Sequence, residues 1–289
     1  MEVLFYVLLF IVGACFGSFL CCQARRLHLR SQKGTKKLGS RSVCLHCRAQ
    51  LKWYDNLPII SWLALKGKCR KCHRKIGLAE FLSELGTALA FVGIGFAFLQ
   101  VYCSSNATTL FGLVPPQDVT SSFCGVGPIN WVAFIITLIF TLIFTLIVIF
   151  LAIYDGLYGQ LSTVILIMAI IAACILLILR TTTAPFSSEL IWQPLLAILI
   201  LGGLYLVLYF VSRGKWVGDG DWLLGTAIAI ALGSPWLALI VLFLSNFFAC
   251  FIMLPTFIKH RQHKIYFGPF MVIAYVITIT FADFLQSMI

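Results

Sequence analysis

The chain is a succession of long apolar runs separated by short polar stretches, with one long polar interruption near its start. A membrane-spanning helix needs roughly 20 predominantly apolar residues. Eight runs meet or approach that length, at residues 3–22, 80–101, 131–154, 161–179, 191–211, 222–232, 236–258 and 268–285. The sixth is short unless it begins inside the 218–221 turn. The pattern predicts an all-α, polytopic membrane protein with about eight transmembrane helices.

Composition agrees. Of 289 residues, 61% are hydrophobic and 11% charged, whereas a soluble domain is nearer half apolar and a quarter charged. So much apolar surface cannot hide in one water-soluble core, so a lipid bilayer must solvate most of the chain. The first run carries Glu2 at its head and its basic cluster behind it, the reverse of a secretory signal, which predicts a retained first helix. A net charge of +11 would suggest nucleic acid in a soluble protein. Here position gives it another meaning. Residues 23–79 hold 15 of the 21 Lys and Arg residues. Arg213 and Lys215 sit between the fifth and sixth runs, and Lys259, Arg261 and Lys264 between the seventh and eighth. An outside N-terminus puts all of these on the cytoplasmic side and leaves only Arg180 outside. No nucleic-acid partner is expected. The 102–130 loop carries no Lys or Arg and falls outside, where Cys103 and Cys124 either form a disulfide or stay as free thiols.

The long polar stretch holds two C-x-x-C pairs, Cys44 with Cys47 and Cys69 with Cys72, separated by 21 residues. Two such turns can close a tetrahedron of thiolates around Zn2+, with no open position, so the predicted metal is structural. Two disulfides are the rival reading, disfavoured in a reducing cytoplasm. His46 and His73 stand beside the cysteines as neighbours or substitute ligands. The aromatic-rich stretch 53–62 between the pairs is expected to pack locally.

Ionisable groups at the edges of spanning helices are costly and mark functional sites. Asp155 ends the third run, and Asp219 and Asp221 lie in Gly218-Asp219-Gly220-Asp221 at the start of the sixth. The topology places them at the same depth on the cytoplasmic face. Two carboxylates a few ångströms apart do not both ionise easily, and a pair sharing one proton supplies the base and the acid of aspartic protease chemistry. The flanking glycines would let substrate backbone approach or allow positive φ. Each acid alone could instead be a helix cap. Glu80 and Glu84 lie one turn apart at the start of the second run, and the deeper Glu84 should meet a polar partner or a cavity.

These residues together resemble the type IV prepilin peptidases, the leader peptidases and N-methyltransferases of pilin and competence pseudopilin systems. The likeness rests on Gly17-Ser18-Phe19-Leu20 with Arg25-Arg26-Leu27, on the paired cysteines and the stretch 55–62, on Lys66-Gly67-Lys68-Cys69 and Glu84-Leu85-Gly86-Thr87, on Asp155 with Leu161, and on the G-x-G-D motif ending at Asp221. Ser162, Leu223 and Cys21 depart from the family pattern. The resemblance implies a multi-pass protein of the bacterial cytoplasmic membrane with Asp155 and Asp221 catalytic and facing the cytoplasm, and Asp219 variable. It implies cleavage of a short basic leader from prepilin or pseudopilin substrates, followed by methylation of the new N-terminus with S-adenosylmethionine. Residues 1–101 would then form a methylation-linked region with the zinc loop, and 131–286 a six-helix peptidase core. A transporter relaying protons through membrane acids, or a non-enzymatic secretion scaffold built on the zinc loop, are the competing classes.

Overall fold

A computed structural model of the chain describes residues 2–31, 42–44, 46–47, 49–103, 131–183, 189–214, 217–259 and 266–287. The alternatives for Cys103 and Cys124, a disulfide or free thiols, involve a segment outside these residues. The chain divides into two compact units, Met1–Val92 and Gly93–Ile289.

The first unit contains α1 (Glu2–Ser31), a 3-10 turn (Trp53–Asn56), the short α2 (Ile60–Ala64) and the start of α3 (Leu78–Cys103). Helices in lipid gain little from apolar contact, so they associate through small residues that allow close backbone approach. Gly13 and Gly17 of α1 supply this. A Cβ on Gly13 would lie 2.8 Å from the Ala88 Cα, and one on Gly17 would lie 2.4 Å from the Ser83 carbonyl oxygen and 2.7 Å from the Glu84 Cα. The α1–α3 crossing therefore depends on a G-x-x-x-G pattern, closed at one end by Phe16 against Phe91. The polar loop adds two small hairpins, one bridged at Val43 and Gln50, the other at Lys68 and Lys75.

The second unit is a helical bundle: α4 (Trp131–Tyr158), α5 (Thr163–Thr183), α6 (Glu189–Ile198), a π-helical turn (Leu199–Gly203), α7 (Leu204–Ser212), α8 (Asp221–Leu232), α9 (Pro235–Lys259), α10 (Gly268–Thr280) and α11 (Ala282–Ser287). Helix α5 packs on α4 and α8, and α10 packs on α4, α8 and α9.

Among the described residues, five helical segments are long and apolar enough to cross a bilayer, and three apolar helices are shorter. The eight predicted runs are thus all helical, but α8 and α10 fall short of a full span. Helix α8 shows why. Nine of its twelve residues are buried, so its neighbours, not lipid, solvate it. At about 1.5 Å per residue it is roughly 18 Å long, and a protein-wrapped helix has no need to match bilayer thickness. Gly233 stops it in the left-handed conformation at φ 65°. The last predicted run breaks at Phe281 (φ −106°, ψ 18°) into α10 and α11. The fifth run contains Pro194 and a π-helical turn, where Gly202 meets α8 so closely that a Cβ would lie 2.3 Å from the Thr226 hydroxyl oxygen.

Candidate functional site

In the second unit the structure brings the two predicted aspartates into one neighbourhood. Asp155 lies near the C-terminus of α4 and is 6% exposed, and Asp221 opens α8 and is 7% exposed. Each accepts one hydrogen bond from a glycine amide. The Gly268 N–H, at the start of α10, donates to Asp155 Oδ2 at 3.0 Å. The Gly218 N–H donates to Asp221 Oδ2 at 2.9 Å. Both carboxylates sit at helix N-termini, where amides favour negative charge. Among the described residues no cation pairs with either one. They are near enough for the charge of one to act on the other.

The glycines also have a packing role. Gly220 has φ −88°, not a positive value. It leaves room for Leu161: a Cβ there would lie 2.6 Å from the Leu161 Cβ and 2.7 Å from its Cδ1. Leu161 stands six residues after Asp155, so this contact joins the two aspartate-bearing segments. Gly159, at φ 63°, ends α4 beneath the Tyr266 ring. Gly268 is equally constrained, since a Cβ would approach Asp155 Oδ2 to 2.8 Å. Asp219 is exposed. A polar trio that the sequence reading missed lies behind the site. The Tyr205 hydroxyl meets Ser245 Oγ at 3.3 Å and accepts from Asn246 Nδ2 at 3.1 Å. The Tyr205 ring packs on Phe267, next to Gly268, with centroids 5.2 Å apart. Lone Tyr, Ser and Asn residues inside apolar runs were the available signal.

In the first unit the four cysteines form one cluster. The sulfurs of Cys44, Cys47, Cys69 and Cys72 all lie within 4.8 Å of one another. Backbone bonds from Cys44 N–H to the Ala49 carbonyl and from Cys69 N–H to the Arg74 carbonyl, each 2.9 Å, shape the two knuckles. His46 and His73 are not members of the cluster. Backbone N–H groups of Cys72 and Lys71 pull the Cys69 thiol down to about 6. Cys72 accepts from the Arg74 amide, which favours its thiolate, yet burial and the neighbouring sulfurs push it up to about 11. Four clustered thiols with too few donors for four negative charges fit a divalent cation, and the group could hold a zinc ion.

The remaining loop residues pack locally. Asp55 accepts from Arg70 Nε at 2.9 Å, and the Arg70 head stacks 5.0 Å from the Tyr54 centroid. Glu80 pairs with Arg25. Glu84 is buried in α3, bonded to Ser18 of α1 and accepting from the Ile59 N–H at 2.7 Å.

Fold and site define an α-helical, multi-pass membrane protein with a four-thiol cluster that could hold a metal ion and two buried carboxylates. Residues 11–98 match the family model described as the Bacterial Peptidase A24 N-terminal domain. The chain is 38% identical over 113 residues to a prepilin leader peptidase/N-methyltransferase of Myxococcus xanthus (39% of this chain, 32% of the relative). It is 37% identical over 89 residues to one from Vibrio cholerae (29% and 35%), and 31% identical over 115 residues to one from Bacillus subtilis (39% and 45%). Over these stretches the chain is similar to the prepilin leader peptidase/N-methyltransferases. The alignments span about a third to under half the length of these relatives. Asp155 and Asp221 lie beyond the stretch that the family model covers. No solved structure matches the chain.

Proposed function

We propose that the chain is an aspartic endopeptidase that removes the short basic leader from prepilin-like or pseudopilin substrates at the cytoplasmic border of the bacterial inner or cell membrane. The observation that carries this reading is the Leu161–Gly220 contact, which couples the segments of two buried carboxylates that have no cation beside them among the described residues. Asp155 and Asp221 hold one proton between them. The ionised member takes a proton from water, whose oxygen attacks the scissile carbonyl carbon. The protonated member donates to the carbonyl oxygen, and the proton then passes to the departing amide nitrogen. The Gly268 and Gly218 amides hold the outer carboxylate oxygens, leaving the other pair of oxygens for water and substrate. The same chain then methylates the new N-terminus, with S-adenosylmethionine as donor. Cys44, Cys47, Cys69 and Cys72 hold a structural zinc ion that folds a loop with too few apolar residues to fold alone.

The membrane orientation of this reading rests on the basic stretch 23–79 facing the cytoplasm. The test is incubation of the detergent-purified chain with a prepilin-like peptide, with and without S-adenosylmethionine, read by mass spectrometry. Leader loss in both arms, with one added methyl group only in the second, is expected. An intact peptide in both arms rejects the reading.

A further inference from the structure

The first unit encloses a cavity of about 240 Å³ among α1, α3 and the two knuckles. That is room on the order of 20 water-sized positions at about 10–15 Å³ each, enough for a metabolite or a peptide terminus. Glu84 lines it and is 8% exposed. Among the described residues, the carboxylate is held by neutral donors alone, the Ser18 hydroxyl and the Ile59 amide. A buried carboxylate with no cation is expensive unless something positive joins it. Of the four arginines in the cavity wall, Arg25 is engaged by Glu80 and Arg70 by Asp55, while Arg26 and Arg74 also line it.

The backbone around Glu84 is strained to hold it. Ile59 sits at φ 63°, ψ −53°, a conformation that a β-branched residue adopts only under compulsion. What the strain achieves is delivery of the Ile59 N–H to Glu84. The Gly17 crossing brings Ser18 to the same carboxylate, since any Cβ on Gly17 would strike the Glu84 backbone. Trp62 also lines the cavity, its ring against Phe81 with centroids 4.7 Å apart.

We propose that this cavity is a binding site for an organic onium cation, with Glu84 as its fixed counter-ion. The inference rests on the methylation half of the function proposed above, which involves two onium groups: the sulfonium of the methyl donor and the ammonium of the trimmed peptide. Both would be recognised by the same chemistry, a desolvated carboxylate facing one positive charge. Exposed Arg74 and Lys75, also in the cavity wall, suit the carboxylate of an amino-acid moiety.

The experiment uses the full chain in detergent and isothermal titration with two matched pairs. One pair is S-adenosylmethionine and its neutral thioether product, S-adenosylhomocysteine. The other is a short peptide with a free N-terminal Phe and its N-acetylated form. At least one cation should bind about tenfold or more tightly than its neutral partner, and the pair that discriminates identifies the occupant. Glu84→Gln should shrink the ratio to about twofold, and Glu84→Asp should retain most of it. Zinc content and melting temperature report whether each variant is folded. Should Glu84→Gln not fold, Glu84→Ala replaces it, with the same loss of discrimination expected. Equal binding within both pairs, no binding of either cation, or discrimination that survives Glu84→Gln overturns the proposal. Leader cleavage requires neither pair to bind, so loss of this proposal leaves the peptidase reading standing.

Discussion

Gly220→Ala is the substitution that most sharply probes how the two aspartates are held. The added Cβ would lie 2.6 Å from the Leu161 Cβ and 2.7 Å from its Cδ1. Carbon atoms rest at about 3.5–4.0 Å, so the start of α8 and the 161 turn must part by roughly 1 Å. Rotation of Leu161 moves Cδ1 but not Cβ, so the side chain cannot absorb the strain. Overpacking of this kind costs about 1–3 kcal/mol of stability. The larger effect is on geometry, since a misplacement of about 1 Å at a reacting group costs roughly 100-fold in rate. Leader cleavage, followed by mass spectrometry against time, should fall by about that factor while the melting curve shifts modestly. Gly156→Ala is the control: it lies next to Asp155, but its Cβ meets Pro269 at an ordinary 3.5 Å, so near-normal cleavage is expected. Pairing Gly220→Ala with Leu161→Gly removes the clash and should restore part of the rate. Unchanged cleavage by Gly220→Ala would refute the coupling argument.

Other outcomes follow from the same reasoning. Gly17→Ala drives a methyl group into the Ser83 carbonyl and should destabilise the first unit by about 1–3 kcal/mol, read as a lower melting temperature in detergent. Cys69→Ser should reduce zinc from about one ion per chain to little or none by elemental analysis, and retained stoichiometric zinc would contradict the four-thiol site. Arg70→Ala removes an ion pair with a half-exposed guanidinium and should cost no more than about 1 kcal/mol, a small shift in the same melting assay.

Helix positions were legible in the sequence because apolar runs bounded by Gly, Pro and charged residues leave little choice in lipid. Asp155 and Asp221 were legible for the converse reason: acids at the ends of such runs are conspicuous. Helix α8 shows where the pattern stops informing, because run length is the same for a lipid-facing helix and one wrapped in protein. The Gly13–Gly17 crossing was present as a G-x-x-x-G spacing, but only the partner helix gives it meaning. Gly220 read as a flexible or permissive position, and Gly268 drew no reading at all, whereas each is a void filled by a side chain distant in sequence, Leu161 and Asp155. The Ile59 amide on Glu84 is a contact that no local pattern encodes.

The central claim is that Asp155 and Asp221 act as one catalytic unit and Asp219 does not. Single-turnover cleavage of a prepilin-like peptide by the Asn variants at these three positions, each checked for zinc content and melting temperature, tests it directly. The account predicts complete loss with Asp155→Asn and with Asp221→Asn, and near-normal leader removal with Asp219→Asn. Cleavage that persists in either of the first two folded variants would contradict it.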